Sequence, residues 1–387
     1  MATLRPLPID SGPAALSALP VVSDVLAGRV CALPVPATDA TQTSLLTTVL
    51  RAGEPIDDAV AVVLSTSGTT GAPKGALLSA AALTASAGAT HDRLGGRGRW
   101  LLALPAYHVA GFQVLVRSLI AGVDPVAVRP GFEPAELVSA VATLGGGRRY
   151  VSLVAAQLDK ALRDPAAADA LADVDAVLIG GGPMPVSLSE KASAAGVPVV
   201  RTYGMSETAG GCVYDGVPLA GVSVTVSETG RISLGGPTVA LGYRNPVTPD
   251  PFAETGWFRT DDVGMIDDAG VLRVLGRADD GISTGGLTVL PDLVEAAMHT
   301  HPAVAECAVF GVADERLGQR VVAAVVLEPA ATLTLEDIRR HVAGRLAPTA
   351  APRELHIVET LPRHGIGKVD RRALARTYGA GPGSSTA

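Results

Sequence analysis

The sequence predicts an α/β protein: a large N-terminal domain of parallel sheets with a small barrel-like β region, then a small α+β C-terminal domain. Three observations carry this expectation. From residue 59 to 208 short apolar runs alternate with longer helical patterns, the signature of βαβ units and a mainly parallel sheet. From 213 to 275 the runs shorten and turn signals appear, Glu228-Thr229-Gly230 and Asp267-Asp268-Ala269-Gly270, which reads as antiparallel strands. After Arg277 the pattern becomes helix, strand, strand, helix, enough chain for a domain of its own.

Taken in order, residues 60–64, 100–104 and 176–179 are apolar runs of strand length, expected to be buried. Helices are expected over 80–89, 112–121 and 134–143. In the last part helices are expected over 291–299 and 335–346, and strands over 305–312 and 321–327. The expected domains are 1–277 and 278–387, joined at a hinge-like Asp279-Asp280-Gly281. The Gly/Ser-rich tail 379–387 is expected to be disordered.

Composition narrows the function. The 387 residues are 48% hydrophobic but only 3% aromatic, so the core must be mostly Ala, Val and Leu. The net charge is −7 with no basic block, which disfavours a nucleic-acid partner. The longest uncharged runs, 75–90 and 100–116, are shorter than the roughly 20 apolar residues that span a bilayer. The first residues lack a secretory pattern. Cys31, Cys212 and Cys307 are odd in number and far apart, which supports neither a disulfide framework nor a zinc site. A reducing cytoplasm is the expected location.

The most informative stretch is Ser65-Thr66-Ser67-Gly68-Thr69-Thr70-Gly71-Ala72-Pro73-Lys74-Gly75, placed between an expected strand and an expected helix. Its glycines let backbone N–H groups turn inward, and its hydroxyls and the Lys74 ammonium complete a cradle for a polyphosphate. Pro73 stands where a Walker A loop needs its second glycine, so the P-loop kinases and GTPases are disfavoured by spacing.

This loop resembles the Ser/Thr/Gly-rich signature of the adenylate-forming superfamily, and further motifs follow in that family's order. They are Pro105-Ala106-Tyr107-His108-Val109-Ala110-Gly111, Gly180-Gly181-Gly182-Pro183, Tyr203-Gly204-Met205-Ser206-Glu207-Thr208, Gly256-Trp257-Phe258-Arg259-Thr260-Asp261-Asp262, Gly276-Arg277-Ala278-Asp279 and Gly365-Ile366-Gly367-Lys368-Val369-Asp370-Arg371. Singly, Tyr203 would be read as core, Asp262 as a turn residue and Lys368 as a surface lysine. The ordered set argues for a site.

The resemblance implies an adenylate-forming fold with a mobile C-terminal domain, ATP and Mg²⁺ as cofactors, and CoA as co-substrate. It assigns Thr66, Ser67, Gly68, Thr69, Thr70, Gly71 and Lys74 to the β- and γ-phosphates, Ser206 to the α-phosphate and Glu207 to Mg²⁺. It assigns Tyr203, Gly204, Gly181 and Gly182 to adenine, and Asp262 and Arg277 to ribose. Lys368 would bridge the carboxylate and the α-phosphate, His108 would line the acyl pocket, Asp279 would be the hinge, and Gly285 and Gly286 would meet CoA. Asp261 stands where the family has Gly, so either Asp261 or Asp262 takes the ribose, with Asp262 favoured. Ser283 stands where the family often has Lys. About 60 residues precede the loop, far fewer than in most relatives, so the first subdomain is expected to be trimmed.

That compactness, with residues 202–219 and 361–372, resembles one branch, the actinobacterial o-succinylbenzoate–CoA ligases of menaquinone biosynthesis. An adenylation enzyme for another acid or for a carrier protein, and a non-catalytic nucleotide binder, are the alternatives. The expected partners are small molecules (a carboxylic acid, ATP and CoA), with a homodimer as the assembly left open. A buried second carboxylate needs a partner. Gln113 and Arg117, with His108 one helical step apart, are the candidates, against a reading in which Arg117 reaches solvent.

Overall fold

The computed structural model describes residues 1–66, 73–364 and 368–379. The N-terminal part is built on two sheets. The first has five strands in the order Pro55–Ile56, Ala2–Ile9, Cys31–Pro36, Val62–Leu64, Ala76–Leu78. The residues before the expected phosphate loop therefore supply four strands of this sheet. The loop leaves Val62–Leu64 and returns as Ala76–Leu78, which pairs antiparallel with it. The turn is thus strand to strand, and the expected helix, Ala80–Arg93, begins only after the Ser79 hydroxyl accepts from the Ala82 amide at 3.1 Å, an N-cap.

The second sheet has seven strands, ordered Val217–Pro218, Gly210–Tyr214, Val199–Met205, Ala176–Gly180, Arg149–Val154, Arg99–Leu102, Val126–Ala127. The last five run parallel and the first two are antiparallel additions. Helices Val109–Ala121 and Pro134–Thr143 connect these strands as expected. The core is aliphatic apart from a few large rings. Trp100 and Tyr150 are fully buried with ring centroids 4.9 Å apart. In such sheets ligands collect beyond the carboxyl ends of the strands, and those ends here carry residues 104–108, 180–182 and 205–208.

The region expected to be barrel-like is an open four-stranded antiparallel sheet, Ser223–Val226, Arg231–Gly235, Trp257–Ile266, Leu272–Arg277. The C-terminal part has strands Leu287–Val289, Ile282–Thr284, Gly318–Leu327 and Val304–Asp314, with Glu354–Ile357 added parallel to Gly318–Leu327. Helices Pro291–Met298, Leu335–Ala343 and Arg371–Gly379 belong to this part. Gly379, placed in the expected tail, ends that last helix, and 380–387 lie outside the described residues. No described helix is long and apolar enough to cross a membrane.

Candidate active site

Two clusters meet at the carboxyl end of Val199–Met205. The first holds Tyr203, Asp262 and Arg277. Antiparallel register sets Asp262 opposite Arg277, with an Nη1 to Oδ1 distance of 3.7 Å. The Tyr203 hydroxyl donates to Asp262 Oδ2 at 2.6 Å, and burial together with that carboxylate raises the phenol above its ordinary range. Strand alternation separates the two aspartates. Asp262 is buried, whereas Asp261 is exposed and pairs with Arg231 at 2.8 Å. Gly204 has φ +159, and a Cβ there would lie 2.1 Å from the Gly210 carbonyl oxygen, so only glycine lets the strands approach this closely. Gly181 has φ +83, a backbone conformation that favours glycine, and open space lies beside Gly182, where a Cβ would meet nothing within 4 Å.

The second cluster holds Ser206 and Glu207, in the short 3-10 turn Ser206–Thr208. The Ser206 hydroxyl donates to the Ser65 carbonyl at 3.2 Å, against the entry of the phosphate loop. Glu207 is buried, and its Oε1 accepts from the Tyr243 hydroxyl at 2.6 Å. Burial raises the Glu207 carboxyl above its ordinary range, opposed by the Tyr243 hydrogen bond and the Lys74 charge. A cation held at such a carboxylate restores its anionic form, and Mg²⁺ is commonly bound by one carboxylate plus substrate phosphates. Lys74 Nζ lies 5.3 Å from the Tyr243 ring centroid. The Thr66 hydroxyl is buried without a hydrogen-bond partner among the described residues. Ser67, Gly68, Thr69, Thr70 and Gly71 lie outside the described residues.

A cavity of about 420 Å³ lies at the carboxyl ends of Arg99–Leu102 and Arg149–Val154 in the same sheet, lined by Gln42, Leu104, Pro105, Tyr107, His108, Val154 and Gln157. His108 occupies the N-cap position of Val109–Ala121. Gln113 and Arg117 do share a buried face of that helix, but it turns elsewhere. Gln113 donates to the Ala209 carbonyl at 2.8 Å, steadying the left-handed residue (φ 53) just after the Glu207 turn. Arg117 is 4% exposed, its guanidinium 4.8 Å from the Trp100 ring centroid. The expectation that it reaches solvent is overturned, and neither residue lines the cavity. An indole face recognises the cation instead.

At the start of the C-terminal part, Asp279 accepts a two-pronged contact from Arg277 at 2.8 and 2.7 Å, so the expected hinge residue grips the expected ribose arginine. Gly285 and Gly286 have φ 59 and 81 between paired strands, the geometry of a tight hairpin turn that favours glycine. Ser283 is exposed, and its amide donates to Gln319 Oε1 at 2.8 Å. Lys368 begins a strand opposite His364. The loop 365–367 and the Lys368 side chain lie outside the description.

The model of the AMP-binding enzyme family matches residues 21–244, and that of the AMP-binding enzyme C-terminal domain matches residues 293–368. The chain belongs to the AMP-binding enzyme family. It is 63% identical over 381 residues to a probable 2-succinylbenzoate–CoA ligase of Mycobacterium tuberculosis, covering 97% of this chain and 98% of that one. It is 35% identical over 341 residues to the 2-succinylbenzoate–CoA ligase of Geobacillus kaustophilus, covering 82% and 69%. Among solved structures, o-succinylbenzoate CoA synthetase from Bacillus subtilis in complex with its acyl-adenylate intermediate matches with a TM-score of 0.81 at 25% identity, covering 96% of this chain and 88% of that one. The same enzyme with ATP and magnesium ion matches with a TM-score of 0.78 at 26% identity.

Sequence reading of this AMP-binding enzyme missed the segment 241–245. Its backbone runs beside 74–77, where the Arg244 and Asn245 amides donate to the Gly75 and Lys74 carbonyls at 2.8 and 3.0 Å. Gln42 was missed as well. It comes from the helix Ala40–Val49, and nothing in its local pattern points to the cavity.

Proposed function

We propose that the chain is an ATP-dependent ligase that activates 2-succinylbenzoate as an acyl-adenylate and transfers the acyl group to CoA. The observation that carries the chemistry is the meeting of Tyr203, Asp262 and Arg277 with Ser206, Glu207 and Lys74 at one sheet edge, with a cavity of about 420 Å³ at the carboxyl ends of strands in the same sheet. The identity of the acid rests on the relatives above.

A carboxylate is a poor acyl donor because its oxide is a basic leaving group. One carboxylate oxygen attacks the α-phosphorus of ATP, the bond to the β-phosphate oxygen breaks, and pyrophosphate leaves. The CoA sulfur then attacks the acyl carbon, its proton passes to solvent, and AMP departs with the carboxylate oxygen. Asp262 and Arg277 hold the ribose. Tyr203, with its ring fixed through its hydroxyl, stacks on adenine beside Gly181, Gly182 and Gly204. Ser206 binds the α-phosphate, and Thr66 and Lys74 flank residues 67–71 at the β- and γ-phosphates. His108 contributes to the acyl wall. Lys368 steadies charge at the reacting oxygens. Glu207 would hold Mg²⁺, which neutralises phosphate charge when bound.

The domains are 1–277 and 278–387, turning about Asp279 so that Lys368 serves adenylation and the other face serves thioester formation. Three free, buried cysteines suit a reducing cytoplasm.

Pyrophosphate release across a panel of acids, with and without CoA, tests the reading. A burst with 2-succinylbenzoate alone and steady turnover once CoA is added are expected. Preference for another acid replaces the substrate, dependence on a carrier protein replaces CoA, and no ATP cleavage with any acid leaves a nucleotide-binding protein.

A further inference from the structure

Tyr243 lies 36 residues beyond Glu207 and outside every motif described above. Its backbone nevertheless belongs to both halves of the phosphate end. The Leu77 amide donates to the Gly242 carbonyl at 2.9 Å, and the Leu241 amide to the Leu77 carbonyl at 2.8 Å. Tyr243 itself forms an antiparallel bridge with Ala76. On the other side, the Ala240 amide donates to the Glu207 carbonyl at 2.8 Å. One strand-like segment thus fastens the exit of the phosphate loop to the turn that carries Glu207.

The side chain is equally fixed. The Tyr243 ring meets Phe252 edge-on, with centroids 5.1 Å apart and planes at 82°. Lys74 Nζ stands 5.3 Å from the ring centroid, a cation–π contact. The hydroxyl points at Glu207 Oε1, 2.6 Å away.

We propose that Tyr243 is a positioning residue for the phosphate end of the site, holding the Glu207 carboxylate in the rotation that presents its second oxygen to Mg²⁺ while its ring sets the place of Lys74. A carboxylate on a flexible stem binds a metal well only when its rotation is settled beforehand, and the hydrogen bond to its other oxygen does that. The inference rests on the proposed role of Glu207 as the metal ligand.

Tyr243→Phe removes the hydroxyl and keeps the ring, so the Phe252 and Lys74 contacts and the fold are retained. The test is a Mg²⁺ titration of the full chain, followed by calorimetric binding of ATP and by the adenylation half-reaction. Loss of a partner to a metal ligand typically costs about 10–100-fold in metal affinity. The Mg²⁺ needed for half-saturation should therefore rise by that factor in both readouts. Thioester formation from supplied acyl-adenylate should stay at the parent rate. Tyr243→Leu should in addition weaken ATP binding at saturating Mg²⁺, because Lys74 loses the ring.

Glu207→Gln separates the inference from the reading beneath it. If Glu207→Gln shifts the Mg²⁺ requirement and Tyr243→Phe does not, the role given to Tyr243 is wrong. If Glu207→Gln leaves the requirement unchanged, Glu207 is not the metal ligand and both assignments fall.

Discussion

Arg371 opens the last helix three residues after Lys368, and it is held by three carboxylates. Its Nε and Nη2 donate to Glu295 at 3.1 and 2.7 Å, Nη1 reaches Asp280 at 3.4 Å, and Nη2 also meets Asp292. Asp280 adjoins the proposed hinge residue, so this guanidinium ties the start of the C-terminal part to the helix behind the Lys368 hairpin. Arg371→Met would leave three carboxylates facing one another. Removing one partner of a buried ion pair costs about 3–5 kcal/mol. These side chains are between 11% and 26% exposed, so solvent screening favours the lower end, about 3 kcal/mol. For a unit of roughly 100 residues each kcal/mol moves Tm by about 4–8 °C, giving a drop of about 12–24 °C in the C-terminal transition.

The sign of the pH dependence follows from Glu295 and Asp280. Burial raises the Glu295 carboxyl above 4.5 and that of Asp280 above 3.8, even though Arg371 lowers both. A carboxyl raised in the folded state stabilises the fold below its unfolded value and loses that contribution as pH rises through the folded value. Without Arg371 both rise further. The deficit of the variant should be largest near neutral pH and shrink as pH falls toward the carboxylate range. Scanning calorimetry of parent and variant at the two ends of that window measures it. A deficit too small to resolve, or one of equal size at both ends, would refute the argument.

Lys368→Ala should slow adenylation by roughly 10²–10³ and leave thioester formation from supplied acyl-adenylate near normal; equal losses in separate half-reaction assays would remove its role. Asp279→Pro fixes φ near −65° and breaks the two-pronged contact with Arg277, so one half-reaction should survive while the full cycle stops. Full turnover by that variant contradicts the hinge. Arg117→Met should be neutral or stabilising, since a buried cation with no carboxylate partner among the described residues is costly even beside the Trp100 indole. It should also raise His91, pushed down to about 4 by burial and by Arg117, in an NMR titration. A loss of kcat/KM confined to the diacid, and absent for a monoacid, would instead make Arg117 the substrate anchor.

What the sequence made legible is local. Gly204, Ser206 and Glu207 sit within one short stretch, where close strand approach dictates the glycine and the hydroxyl and carboxylate fit the proposed phosphate chemistry. The strand alternation over Trp257–Ile266 separates Asp261 from Asp262, but only once the buried face is known. The face shared by Gln113 and Arg117 followed from helical spacing, yet its direction did not. It depends on Trp100 and Ala209, partners that are remote in sequence or face another layer. Tyr243 was invisible for the same reason, because its contact with Glu207 spans 36 residues and a change of sheet. The glycine pair 285–286 was read for a ligand, and the hairpin it turns supplies a structural reason for both residues.

The central claim is that the acid is activated by direct bonding of its carboxylate to the α-phosphorus. Turnover with carboxyl-¹⁸O-labelled 2-succinylbenzoate, ATP and CoA, followed by mass spectrometry of the nucleotide, tests it most directly. The account predicts AMP carrying one ¹⁸O per CoA thioester formed, with unlabelled pyrophosphate. Label in inorganic phosphate with ADP as the nucleotide, or thioester formed without label in AMP, would contradict it.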